Sequence, residues 1–219
     1  PLSTRALQQG LNQEEKGSFA EQLAQLDRWI RPEHQSHEEA VRATPLPPLP
    51  AEGFLLGASI DSALLAAGLG WHFVFAAHLN GDPDLLREVV STWRKHSARD
   101  VIVAVQAIVA PTQAEAEALA QKVEVWGVEL ANGQRVTVAS EEQAYAFARQ
   151  ADSEPVRIAR RAQSLLAGTA ESVLEQLNAL HEKWGIDEFI IDTPVAEGAT
   201  RVASLRLLAG ARLNKEVTV

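Results

Sequence analysis

The chain has 219 residues, 46% apolar and 22% charged, with 29 acidic against 20 basic side chains and a formal charge of −9. That is enough for one globular domain or two small ones, with no basic patch or aromatic supply for nucleic acid and no apolar run near the roughly 20 residues of a membrane helix. The absence of Cys excludes disulfides, thiolate nucleophiles and cysteine-held metals, in keeping with a cytoplasmic protein.

The chain begins at Pro1 and contains no Met, so Pro1 reads as a cut, not a start. Leu2 to Gln9 has helical character, and Ser18 to Arg31 is a clearer amphipathic helix with Phe19, Leu23, Leu26 and Trp29 or Ile30 on one side. His34-Gln35-Ser36-His37-Glu38 lacks a third fixed ligand and reads as a polar loop, not a metal site. From Pro45 to Pro50 four prolines remove backbone donors, which predicts an extended surface connection.

Beyond Gly53 short apolar runs alternate with amphipathic helices. The spacing predicts a strand at Phe54 to Gly57, a helix from Asp61 to Gly68, a strand at His72 to His78 and a helix from Asp84 to Lys95. Val101 to Ala110 follows as a strand apolar on both faces except for Gln106, the pattern of a covered parallel strand. Thr112-Gln113-Ala114-Glu115 is a capping box for a helix through about Val125, and Ser140-Glu141-Glu142-Gln143 another for a helix toward Gln150. Between them, Asn132-Gly133 marks a tight turn in a small hairpin over Gly127 to Val138. Arg157 to Leu166 reads as a short helix, Thr169 caps a stronger one ended by Gly185, Asp187 to Thr193 is the fourth strand, and Arg201 to Arg212 closes the chain as a helix.

The order predicts an α/β fold with parallel strands: one domain over 1–219, with a helical and proline-rich lead-in over 1–53 and an insertion near 127–154. Four strands suit either a small doubly wound domain or half of an eight-stranded barrel. In both, ligands gather at the carboxyl ends of the strands. The loop Gly57-Ala58-Ser59-Ile60-Asp61-Ser62 has phosphate-binding chemistry there: small residues, two hydroxyls and the positive end of a helix. His78 is a strand-end donor able to face a flavin ring or a substrate carbonyl. Gln106 needs a partner, and Asp192 either contacts substrate or caps the following turn. With no dinucleotide fingerprint, Walker lysine, nucleophile elbow or paired metal-ligand motif, an enzyme built on this chain must take its reactivity from a cofactor.

The run from Phe54 to His78, with Leu-Leu-Gly-Ala-Ser, Ser-Ala-Leu-Leu-Ala-Ala, Leu-Gly and Phe-Ala-Ala-His in order, resembles the bacterial-luciferase-like flavin-dependent monooxygenases, in their alkanal-monooxygenase-like branch. Pro1 to Leu7, Val41 to Pro45, Ile108 to Glu117 and Asp187 to Ile191 add to the likeness, which is weakest from Trp126 to Glu154. Ala58 departs from it, standing where most of the family has Ser or an acid.

The resemblance implies the carboxyl-terminal half of a luciferase-like (β/α)8 TIM barrel. It implies reduced FMN supplied by a separate reductase, O2 as co-substrate, and an aldehyde or similar small organic substrate shielded from water. The family's cofactor contacts fall on Leu56, Gly57, Ala58, Ser59 and Ser62, the last four holding the phosphate, and His78 takes the catalytic position. By this alignment the family's first four strands precede Pro1, so a half-barrel should pair with itself as a homodimer or need its missing half. The alternatives are an F420-dependent oxidoreductase of the same barrel and a non-catalytic flavin- or phosphate-binding remnant.

Overall fold

The computed structural model describes residues 17–31, 44–45, 48–79, 81–161 and 164–216. The expected helix over Leu2 to Gln9 and the His34 to Glu38 segment lie outside them. The chain divides into two compact units, the first holding the described residues up to Val74 together with Glu88–Val101, the second Phe75–Arg87 and the rest from Ile102 onward.

In the first unit, α1 (Phe19–Ile30) opens with the expected cap: Ser18 accepts from the Glu21 amide, and the Glu21 carboxylate accepts from the Ser18 amide. Its apolar stripe is only partly covered, with Leu23, Trp29 and Ile30 half-buried. Phe19 is 61% and Leu26 41% exposed, whereas Asp27 is buried, accepting 2.6 Å from Trp71 Nε1 and 2.8 Å from Arg31 Nε. A charged hydrogen bond to an indole adds an anchor to this helix that periodicity does not show.

Next comes β1 (Phe54–Gly57), then α2 (Ile60–Leu69), which ends on Gly70 in the left-handed conformation at φ 66°. The following strand, β2 (His72–Ala76), runs beside β1. Trp71, Phe73, Val89 and Trp93 are buried here, with Phe73 and Trp93 at a ring separation of 5.5 Å and Trp93 Nε1 donating to the Arg99 carbonyl. Val89 and Trp93 lie on α3 (Pro83–His96).

In the second unit β3 (Ile102–Val109) is the buried centre, its side chains covered along both faces apart from Gln106. It pairs in parallel with two strands in succession: β8 (Glu188–Asp192) along Ile102 to Gln106, and β7 (Leu165–Gly168) along Gln106 to Val109. Parallel pairing and covered faces are what the sequence predicts. The capping box at Thr112 forms and starts α4 (Gln113–Ala120), and Thr169 caps α6 (Ala170–Trp184), which stops at Gly185 in the left-handed conformation. The last helix, α7 (Gly198–Glu216), is tied down through buried Ser204, whose Oγ accepts from the Val109 amide at 2.8 Å.

The same unit carries a separate antiparallel sheet of β4 (Trp126–Leu130), β5 (Arg135–Val138) and β6 (Pro155–Arg160), in the order β5-β4-β6. The Asn132-Gly133 turn closes its hairpin as expected, with Gly133 at φ 83°. One face is apolar: Val128 and Leu130 are buried against Ala144 and Ala148 of α5 (Glu141–Gln150), with Val136, Val138 and Ile158 beside them. The cap of α5 forms by half. Ser140 Oγ accepts from the Gln143 amide, but Gln143 Oε1 turns to the amide of Ala139.

Two expected helices are corrected here. Arg157 to Leu166 is not helical. Residues Pro155–Arg160 alternate Val156 and Ile158 with Arg157 and Ala159, a period of two that β4 captures as β6, and Leu165–Gly168 joins β3 as β7. The helix from Thr112 stops at Ala120, short of Val125, because β-branched Val123 and Val125 lead into β4 and the Val125 carbonyl accepts from the Arg161 amide at 2.7 Å. The described residues hold eight strands: the four expected parallel ones, the two of the expected hairpin, and β6 and β7. Among the described residues no helix is long and apolar enough to cross a membrane.

Candidate functional site

The loop from β1 to α2 is built around Ser59, which has extended backbone at φ −146° and caps the helix through its hydroxyl, accepting from the Ser62 amide at 3.2 Å. The Ser59 and Ser62 hydroxyls are themselves 2.9 Å apart. Ser62 turns back toward Gly57, and a Cβ at Gly57 would overlap it, with Ser62 Oγ at 2.6 Å. Glycine is needed at 57 because the Ser62 side chain occupies the space a larger residue would take.

The Ala63 amide reaches the Ser59 carbonyl at 3.3 Å, so the helix uses the amides of Ser62 and Ala63 and its geometry leaves those of Ile60 and Asp61 for an outside acceptor. Two hydroxyls, two first-turn amides and a helix N-terminus suit a phosphate. The Asp61 carboxylate stands in the same first turn and competes for the positive end. Leu56 is 53% exposed at the end of β1, and Ala58 forms the half-exposed turn before Ser59. The structure thus brings Gly57, Ser59 and Ser62 together, flanked by Leu56 and Ala58.

His78 belongs to the second unit. It lies two residues beyond β2, half-buried, with Nδ1 3.4 Å from the Ala104 carbonyl. A carbonyl only accepts, so in the neutral ring that contact places the proton on Nδ1 and leaves Nε2 as an acceptor. Gln106 finds its partner in Asp192, donating from Nε2 to Oδ2 at 2.8 Å, and this pairing replaces the turn-capping expected of Asp192. Arg157 and Arg161, which no sequence motif singles out, stand on the polar face of the antiparallel sheet. Their signal is the alternation through β6, which a helical reading of the segment hides.

The parallel pairing of β3 with β7 and β8 defines an α/β protein, a class that holds ligands at the carboxyl ends of its strands. No family model matches the chain. It is 33% identical over 218 residues to the N-acetyl-S-alkylcysteine monooxygenase of Bacillus subtilis (strain 168), an alignment covering 97% of this chain and 65% of the relative. Its fold matches the crystal structure of apo-MsnO8 with a TM-score of 0.61 at 21% identity, covering 90% of this chain and 60% of that one. It also matches the monooxygenase RslO1 from Streptomyces bottropensis with a TM-score of 0.56 at 17% identity, covering 99% and 66%. These likenesses to monooxygenases agree with the luciferase-like flavin-dependent family that the Phe54 to His78 segment resembles. It spans less than two thirds of the length of the curated relative it matches.

Proposed function

We propose that this chain is the phosphate-binding part of a flavin monooxygenase that uses reduced FMN and O2 to oxidise a small organic molecule. The observation that carries the reading is the loop at the start of α2, where the Ser59 and Ser62 hydroxyls converge 2.9 Å apart beside the free first-turn amides. The family likeness supplies the flavin, and the loop supplies a fit for its phosphate. Bound reduced flavin provides the two electrons with which one oxygen atom of O2 is inserted into substrate and the other leaves as water.

The protein's own contribution is to hold and orient. Gly57 keeps the turn tight enough for Ser62 to stand beside Ser59, and the amides of Ile60 and Asp61 address the phosphate oxygens. His78, with Nδ1 committed to the Ala104 carbonyl, offers Nε2 to a proton of substrate or cofactor. For substrate we take the class named by the relative, an N-acetylated S-alkyl cysteine, which is a small thioether carrying a carboxylate.

Titration of FMN, riboflavin and F420 against the 219-residue chain tests the cofactor reading. FMN should bind about tenfold or more tightly than riboflavin, as loss of a charged hydrogen-bonded group requires, and the Ser59→Ala/Ser62→Ala double variant should narrow that gap. Equal binding of FMN and riboflavin overturns the phosphate site, and preference for F420 overturns the choice of flavin.

A further inference from the structure

The antiparallel sheet of the second unit is polar on the face turned away from α5, and its charges do not balance. Glu129 stands opposite Arg135 on β5 and opposite Arg157 on β6, so one carboxylate is flanked by two guanidiniums. It satisfies Arg135, at 2.6 Å. Arg157 forms no ion pair among the described residues. On the next row of the same face Gly127 lies between Thr137 and Ala159. Arg161 crosses over Gly127 to reach Thr137 Oγ1 at 3.5 Å, and a Cβ at Gly127 would meet its Cδ at 2.9 Å. Among the described residues Arg161 therefore has a hydroxyl, not a carboxylate, for a partner.

Cross-strand neighbours on a solvated sheet face ordinarily alternate in sign, because like charges side by side are unfavourable. Here four arginines, Arg135, Arg157, Arg160 and Arg161, stand with a single glutamate, Glu129, in a chain whose overall charge is −9, and of the four Arg160 is 3.6 Å from Glu124. They line a concavity of about 850 Å3, within the size range of small-molecule sites. Its floor at Gly127 and Ala159 is small, and Leu79 and Gly81, from the segment that directly follows His78, form part of its wall. A concave surface with excess guanidinium, a hydroxyl donor and a low floor is complementary to an oxyanion, which a guanidinium fork holds through paired hydrogen bonds.

We infer that Arg157 and Arg161, with Thr137, form an anion-binding site that takes the carboxylate of a small organic acid, the substrate of this enzyme. The inference rests on the substrate reading above and assigns its acidic group to named side chains. The flavin phosphate is the other source of the same chemistry, and it already has a site at Ser59 and Ser62.

Calorimetric titration of the flavin-free chain with N-acetyl-S-methylcysteine and with its methyl ester tests this directly. The acid should bind saturably and the ester about tenfold or more weakly. Arg157→Gln/Arg161→Gln should lose about tenfold or more in affinity for the acid while keeping its circular dichroism. Arg157→Gln alone, at an exposed side chain without an ion pair, should show part of the loss with no risk to folding. Equal binding of acid and ester, or unchanged binding in both variants, overturns the proposal. So does displacement of the acid by FMN but not by riboflavin, which would give this face to the flavin phosphate. Because no flavin is needed for the acid to bind, failure of the Ser59 and Ser62 site leaves this readout intact.

Discussion

Gln106 and Asp192 occupy the same register position on β3 and β8, and a 2.8 Å hydrogen bond from amide nitrogen to carboxylate joins them. The pair explains why an otherwise apolar strand carries an amide: its polar group is satisfied by the last residue of the neighbouring strand. Since the bond is solvent-exposed, its loss should be modest. Asp192→Ala should lower the unfolding free energy by about 0.5–1.5 kcal/mol, with Asp192→Asn, which keeps an acceptor, closer to the parent. Urea unfolding measures both. An Asp192→Ala midpoint equal to the parent's would show that the pair contributes nothing.

Asp27 makes a stronger demand. It is 6% exposed and accepts from both Trp71 and Arg31, so replacing it strands an indole N–H and leaves a guanidinium without its partner. Asp27→Ala should cost about 2–4 kcal/mol, and Trp71→Phe less, because the carboxylate then keeps Arg31. In a combined variant the two losses should be less than additive. Full additivity in chemical denaturation would mean the two side chains do not act as a pair.

These two pairs also mark how far the sequence could be read. Strands β1, β2, β3 and β8 and their caps are local matters of apolar runs and Ser or Thr followed by Glu or Gln, and they stood out. The Gly57 to Ser62 loop stood out for the same reason, because its chemistry is contiguous. The bond between Asp27 and Trp71 joins residues 44 positions apart, and nothing local distinguishes Asp27 from an exposed helical acid. The polar sheet face was invisible for another reason. Arg157 and Arg161 are spaced by four, as on one face of a helix, and only pairing with β4 turns that segment into a strand.

The cap of α1 makes a pH-dependent prediction. Hydrogen bonds from the Ser18 side chain and backbone hold the Glu21 carboxyl below its ordinary value. A group with a depressed folded pKa stabilises fully above its unfolded pKa, and the contribution is lost as pH falls through the folded value. The start of α1 should therefore loosen only at acid pH. NMR chemical shifts of the Ser18 and Glu21 amides, followed from neutral pH downward, should move together, and Glu21→Gln should abolish the movement. An unchanged titration in that variant would assign the transition to another group.

The contact between Gly57 and Ser62 carries the last prediction. A Cβ at position 57 meets both Cβ and Oγ of Ser62, so Gly57→Ala cannot be relieved by rotating the hydroxyl, and the turn or α2 must shift. Overpacking of this kind costs about 1–3 kcal/mol, and the shift also moves the Ile60 and Asp61 amides away from a bound phosphate. Ser62→Ala in the same background should not restore stability, because its Cβ remains, whereas Ser62→Gly should. FMN affinity should follow the same order, lowest in Gly57→Ala and Gly57→Ala/Ser62→Ala, partly recovered in Gly57→Ala/Ser62→Gly. Asp61 acts in the opposite sense, since its carboxylate shares the helix end with the phosphate. Asp61→Asn removes that competition and should tighten FMN binding by about two- to fivefold, the strength of a single charge at a helix terminus, without changing riboflavin binding. Tightening of both flavins alike would mean that Asp61 acts on the loop's conformation and not on the phosphate.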